Sequence, residues 1–209
     1  MAPALDILID WVQPYTKTSR ERLCAMAKAL QTIDVEEIEG DVVECGVWRG
    51  GNIMLARFLS PDRVCWLYDT FRGMAGRSKY DVNRKGISVG TGKSAVPIEE
   101  VLENFHKTGT YDAAKLRFVR GQVEETLLYD EYLPDRIALL RLDTDWYHST
   151  KIELEKLWPR MEPGGILIVD DYGHWLGCRK AVDDFFRQKV VPFHRIDYTA
   201  IMAVKPDAA

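Results

Sequence analysis

Gly40–Ser60 reads GDVVECGVWRGGNIMLARFLS, and this stretch decides the fold. Its first part, GDVVECGVW, is a short apolar run suited to one buried strand. Its second part, RGGNIMLARFLS, reads as a helix that opens on glycines. Gly46 lets the chain turn sharply after the strand, and Gly50 and Gly51 permit close backbone approach where the helix begins. A strand that passes through a glycine turn into a helix is the repeating unit of an α/β chain.

The alternation continues outward. RVCWLYDT is a second strand, PIEEVLENFHKT a helix and KLRFVRG a third strand. RIALLRLD and GILIVDD are the fourth and fifth strands. Between them, STKIELEKLWPRM carries Ile152, Leu154, Leu157 and Trp158 at helical spacing behind a hydroxyl cap. CRKAVDDFFRQK is a further helix, and FHRIDY and AIMAVKP close the chain as two short strands. On the amino-terminal side, TSRERLCAMAKALQTI is a helix expected to pack outside the core. The expected architecture is α/β: a mostly parallel, seven-stranded, Rossmann-like sheet with helices on both faces. It forms one domain over 1–209, with 1–38 as a helical extension.

Phe71–Val96 lacks periodicity, is rich in Gly, Ser, Lys and Arg, and reads as a lid over the acceptor. Within it, GISVGTGKS imitates a phosphate loop. A Walker loop needs glycine five residues before Gly92, and Ile87 stands there, so nucleoside-triphosphate binding is not expected.

Composition excludes several classes. The 209 residues are 46% hydrophobic and 29% charged, enough for a full core. A net charge of -4 argues against a nucleic-acid or acidic-membrane partner. No apolar stretch approaches the roughly 18 residues of a membrane helix. The first residues carry acids and no basic region, so a signal peptide is not expected. Cys24, Cys45, Cys65 and Cys178 show no CxxC spacing. Cys45 and Cys65 fall within strands as buried free thiols, which suits a reducing, cytoplasmic setting.

Ligands of such sheets bind beyond the carboxyl ends of the strands. Glu44, Asp69, Asp143 and Asp170 all lie there. ECGVWRGG is not the dinucleotide pattern GxGxxG, because Trp48 replaces the second glycine. Glu44 would repel a pyrophosphate and attract a cation such as a sulfonium. Asp69 suits the ribose hydroxyls of an adenosine cofactor. If the fourth and fifth strands are neighbours, Asp143 faces Asp170, with Asp171 beside them. These oxygen ligands suit Mg²⁺, Mn²⁺ or Ca²⁺ rather than zinc. A single Asp in such a place more often caps a helix; two acidic pairs at adjacent strand ends favour the metal. His148 and His174 follow these pairs, and Trp146, Tyr147, Tyr172 and Trp175 gather there, consistent with sugar stacking or with core packing.

GDVVECGVWRGG, YDTFRGM, LRLDTDWYHST, LWPRMEPGGILIVDDY and GCRKAVDDFF resemble the macrocin O-methyltransferase family over roughly residues 20–186. The resemblance implies the class I methyltransferase fold, S-adenosyl-L-methionine (SAM) as methyl donor, and Mg²⁺ or another divalent cation such as Mn²⁺. The acceptor it implies is a small molecule, a sugar or oligosaccharide. Asp143, Asp170 and Asp171 resemble the family's metal ligands, and Asp145 resembles its general base. His148 is the other candidate base, since an imidazole titrates near neutral pH. The loop holding Glu44, Gly46, Trp48 and Gly50 resembles the SAM loop, with Asp143 also beside the cofactor. Asp69 looks like the ribose acid, and Gln122 and Val123 look like the residues flanking adenine. Size and the DTDWYHS segment are also similar to the sugar 1-O-methyltransferases of methylmannose polysaccharide synthesis. A homodimer is expected, with no nucleic acid and no membrane insertion. Two rivals are a metal-dependent O-methyltransferase of catechols or other vicinal diols, and a dinucleotide-dependent oxidoreductase or sugar-nucleotide-binding module.

Overall fold

A computed structural model describes residues 5–74, 76–87 and 94–207. Helices α1 (Leu5–Val12) and α2 (Arg20–Val35) precede β1 (Asp41–Cys45), α3 (Gly51–Leu59) and β2 (Cys65–Asp69). Then follow α4 (Ile98–Lys107), β3 (Leu116–Arg120), the single-turn α5 (Val123–Thr126), β4 (Ile137–Leu142) and α6 (Tyr147–Leu157). The chain ends with β5 (Met161–Val169), α7 (Leu176–Phe186), β6 (His194–Arg195) and β7 (Ile201–Val204).

The expected sheet is observed. Its seven strands are ordered β3-β2-β1-β4-β5-β7-β6, and β7 pairs antiparallel with both β5 and β6. The central strands have no solvent face: every residue of β4 is buried. Alternate side chains therefore enter two different clusters. Val42, Leu139, Ile166 and Ile168 join the helices of one face; Val43, Leu140, Leu142, Leu167 and Val169 join α6 and α7 on the other.

Two expectations change. The α2 helix is not outside the core: Leu23, Met26, Leu30 and Ile33 are fully buried in the cluster that holds Leu139 and Ile168. The α6 helix has no hydroxyl cap, because it starts at Tyr147, two residues before Ser149. Ser149 Oγ instead donates to the Trp146 carbonyl at 3.1 Å, while the Tyr147 N–H donates to Asp81 Oδ1 at 2.8 Å. Within 71–96, the phosphate-loop mimic lies largely outside the described residues, since Ser88–Lys93 are not among them. The described part has no helix or strand beyond an Asn83–Trp175 bridge. The four cysteines are free, with Cys45, Cys65 and Cys178 buried. Among the described residues no helix is long and apolar enough to cross a membrane.

Register positions the site. Cys45 lies level with Leu142, and Leu142 with Val169. The next residues, Gly46, Asp143 and Asp170, thus leave the sheet together at the point where strand order reverses, between β1 and β4.

Candidate active site

A cavity of about 360 Å³ opens over these strand ends. One wall comes from the turn after β1. Gly46 sits at φ +85°, and a Cβ there would lie 2.1 Å from the Asp143 carbonyl oxygen, so only glycine fits. Trp48 takes a left-handed φ of 48°, a costly state for a bulky side chain. Its indole lies between Lys17 Nζ at 4.9 Å and the Arg49 guanidinium at 4.8 Å. Asp69 holds this turn in place. Its Oδ2 accepts the N–H groups of Val47 (2.8 Å) and Trp48 (3.1 Å), and its Oδ1 accepts that of Phe71 (2.8 Å). Gln122 and Val123 line the same cavity.

The opposite wall is acidic. Ligand oxygens of Asp143, Asp170 and Asp171 lie within 4.8 Å of one another. The cation already among them is Arg141, a side chain only 1% exposed. It donates to Glu44 Oε1 at 2.7 Å, to Asp143 Oδ2 at 2.8 Å, to Thr18 Oγ1 at 2.9 Å and to Asp170 Oδ1. Arg22, from α2, reaches Asp170 Oδ2 and pairs with Asp197 at 3.0 Å. Two arginines do not satisfy the cluster. Asp171 Oδ2 is buried without a hydrogen-bond partner. Burial, followed by the charges of Asp145 and Asp143, pushes the Asp171 carboxyl well above its ordinary range. Asp170 is pushed up to about 6 by burial, against the pull of Arg141. An orphaned, buried carboxylate oxygen among hard oxygen donors fits a divalent cation.

Between the walls runs the turn Asp143-Thr144-Asp145-Trp146. Asp145 lines the cavity at φ +67°, and burial plus the Asp143 charge push its carboxyl up to about 7. Glu153, wholly buried on α6, accepts the Thr144 hydroxyl on both its oxygens, at 2.9 and 3.1 Å.

Of the residues singled out in the sequence, Gly46, Trp48, Asp69, Gln122, Val123, Asp143, Asp145, Asp170 and Asp171 line one cavity. Three do not. Glu44 is fully buried and faces Arg141 and Asn52, so the cation it attracts is internal. Gly50 caps α3 with φ +94°, against Phe105. His148 is exposed on α6 and absent from the lining, because the helix begins one residue earlier and turns it outward. Among the four aromatic residues, Trp146 and Trp175 line the cavity and Tyr147 and Tyr172 do not. Sequence reading missed Arg141, Arg22, Glu153 and Asp81. Arg141 carried a signal: a charge inside the apolar run IALLRL demands a buried counterion.

Residues 8–205 match the family model described as Macrocin-O-methyltransferase (TylF). The chain is 35% identical, over 92% of its length and 76% of the relative's, to the 8-demethyl-8-(2,3-dimethoxy-alpha-L-rhamnosyl)-tetracenomycin-C 4'-O-methyltransferase of Streptomyces olivaceus. It is 34% identical to the demethyldecarbamoylnovobiocin O-methyltransferase of Streptomyces niveus, over 84% of this chain and 70% of that one. Among solved structures, the O-methyltransferase NovP superposes with a TM-score of 0.83 at 30% identity, covering 92% of this chain and 82% of that one. The calicheamicin methyltransferase CalS11 shares the fold, with a TM-score of 0.72 at 21% identity over 91% and 80% of the two chains.

Proposed function

This chain belongs to the macrocin O-methyltransferase family, and we propose that it methylates a hydroxyl of a sugar or glycoside with SAM as donor and a divalent cation, Mg²⁺ or Mn²⁺, as cofactor. The observation that carries this is the acidic triad of Asp143, Asp170 and Asp171 facing the Gly46–Trp48 turn across one cavity. The relative from Streptomyces olivaceus acts, by its name, on a rhamnosyl-bearing compound, which supports a sugar acceptor. Family membership sets aside the dinucleotide-dependent oxidoreductase.

The cofactor wall would hold SAM through Asp69 toward the ribose, Gln122 and Val123 beside the adenine, and the Gly46–Trp48 turn beside the methionine. Asp143, Asp170 and Asp171 would hold the cation. A cation bound there lowers the pKa of a hydroxyl that it contacts. A sugar hydroxyl must lose its proton as it gains a methyl group. Asp145 is the residue we assign to take that proton, since it lines the cavity while His148 is exposed outside it. The protein's remaining contribution is to position the two reactants and to exclude water, with Trp146 and Trp175 forming apolar cavity wall. A homodimer in a reducing, cytoplasmic compartment completes the proposal, and the buried free thiols agree with that compartment.

The test is methyl transfer from radiolabelled SAM to a panel of mannose, rhamnose, glucose, their oligosaccharides and catechol, with and without EDTA. Label should pass to one of the sugars, and only with metal present. Transfer to catechol alone would favour the vicinal-diol rival.

A further inference from the structure

Most of the described residues between Phe71 and Val96 are at least partly exposed, yet Asp81 among them is fully buried. A buried carboxylate persists only where donors meet it. Its Oδ1 accepts the N–H of Tyr147, the first residue of α6, at 2.8 Å, and its Oδ2 accepts the N–H of Ser78 at 2.5 Å. Gly177 on α7 makes room: a Cβ there would lie 1.9 Å from Asp81 Oδ1. The surrounding segment is docked by backbone as well. Leu176 N–H donates to the Val82 carbonyl at 2.9 Å, Asn83 bridges to Trp175, and the Tyr80 ring packs 5.0 Å from that of Tyr147. Tyr147 lies only two residues beyond Asp145, whose left-handed φ of 67° needs outside support to persist.

We propose that Asp81 is a positioning residue. It fixes the start of α6 and thereby the Asp145 turn, so that docking of the stretch around Asp81, residues 78–83, and placement of the proton-accepting carboxylate are one event. The proposal rests on the reading of Asp145 as the base. A merely structural cap would lower thermal stability and leave the Asp145 turn and turnover unchanged.

Two variants remove the contact by different routes: Asp81→Ala deletes the acceptor, and Gly177→Ala fills its place with a methyl group. Circular dichroism first establishes that each is folded at the assay temperature. Crystal structures of both variants should show Asp145 leaving the left-handed region. With the sugar that the panel identifies, kcat should fall by about 10- to 100-fold in both, the scale of a small misplacement of a reacting group. Affinity for S-adenosylhomocysteine, read by calorimetry, should stay within about two-fold. Asp81→Asn keeps an acceptor for Tyr147, so its loss should be intermediate. In an Asp145→Asn background, Asp81→Ala should add little, since both changes act on one group. An unchanged Asp145 turn in either crystal structure, or losses that multiply in the double variant, would overturn the proposal. Full turnover by Asp145→Asn alone would instead remove the base assignment. The crystal structures would then still decide whether Asp81 sets the turn.

Discussion

The two walls of the cavity are both built where strands end, and both are anchored by aspartates, yet their electrostatics differ. On the β1–β2 side, the two oxygens of Asp69 meet three backbone N–H groups that the turn after β1 and the chain after β2 present to them. On the β4–β5 side, Asp143, Asp145, Asp170 and Asp171 crowd one another, two arginines reach only Asp143 and Asp170 among them, and one buried oxygen of Asp171 meets no N–H or O–H donor. A matched carboxylate shapes a binding surface. A crowded, only partly matched cluster resists ionising, and an incoming cation would offset that repulsion, which is where chemistry concentrates.

The sharpest way to break this contrast is to discharge the acidic wall. Exhaustive EDTA treatment, Asp143→Asn and Asp170→Asn should each reduce methyl transfer by about 1,000-fold, the several kcal/mol that a metal supplies. Binding of S-adenosylhomocysteine, measured by calorimetry, should survive EDTA. Activity that withstands chelation would erase the distinction between the walls. Next in size is Asp145→Asn, which should lower kcat by about 100-fold while S-adenosylhomocysteine still binds. His148→Phe, on the solvent side of α6, should change kcat by less than about three-fold; the opposite ranking would return the base to His148.

The matched wall responds differently. Asp69→Ala should weaken SAM binding by about 1–3 kcal/mol, because the Val47, Trp48 and Phe71 amides lose their acceptor along with the ribose contact. The change should appear in the dissociation constant from calorimetry rather than in kcat at saturating SAM. An unaltered dissociation constant would place the cofactor elsewhere.

How much of this was legible in the sequence follows from the kind of interaction. The sheet was readable because β1, β4 and β5 are apolar runs bounded by glycine and aspartate. The acidic triad was readable because register makes equivalent positions of neighbouring strands level. Arg22, Asp81 and Gly177 were not, since their partners lie far away in the chain: Arg22 and Asp170 are 148 residues apart, and Asp81 and Tyr147 are 66 apart. His148 stands outside the cavity for a local reason: it is the second residue of α6, on the solvent side of the first turn, and helix boundaries are poorly legible in a sequence. The role of α2 was misjudged because its charged residues disguise the buried stripe of Leu23, Met26, Leu30 and Ile33.

What lies beneath the acidic wall should show in stability rather than in turnover. Glu153 supports the Asp145 turn through Thr144, and it is wholly buried. Burial pushes its carboxyl up to about 8, against the hydrogen bond from Thr144. The unfolded chain should release this proton near the ordinary value of 4.5. Between those two values the folded state holds a proton that the unfolded state has lost, so stability falls as pH rises through the window and levels off above it. Glu153→Gln keeps a carbonyl for the Thr144 hydroxyl and cannot ionise. The variant should therefore match or trail the parent in Tm at pH 5 and overtake it by pH 8.5. At about 1.36 kcal/mol per pKa unit the ceiling is ~5 kcal/mol, and water entry would lower it. For a domain of this size each kcal/mol moves Tm by about 2–4 °C, so the crossover should span several degrees. Other raised carboxyls, Asp170 among them, slope the same way in both proteins and cancel in the difference. A Tm difference that does not change with pH would mean that Glu153 stays ionised in the fold, and that the turn rests on a charged support rather than a neutral one.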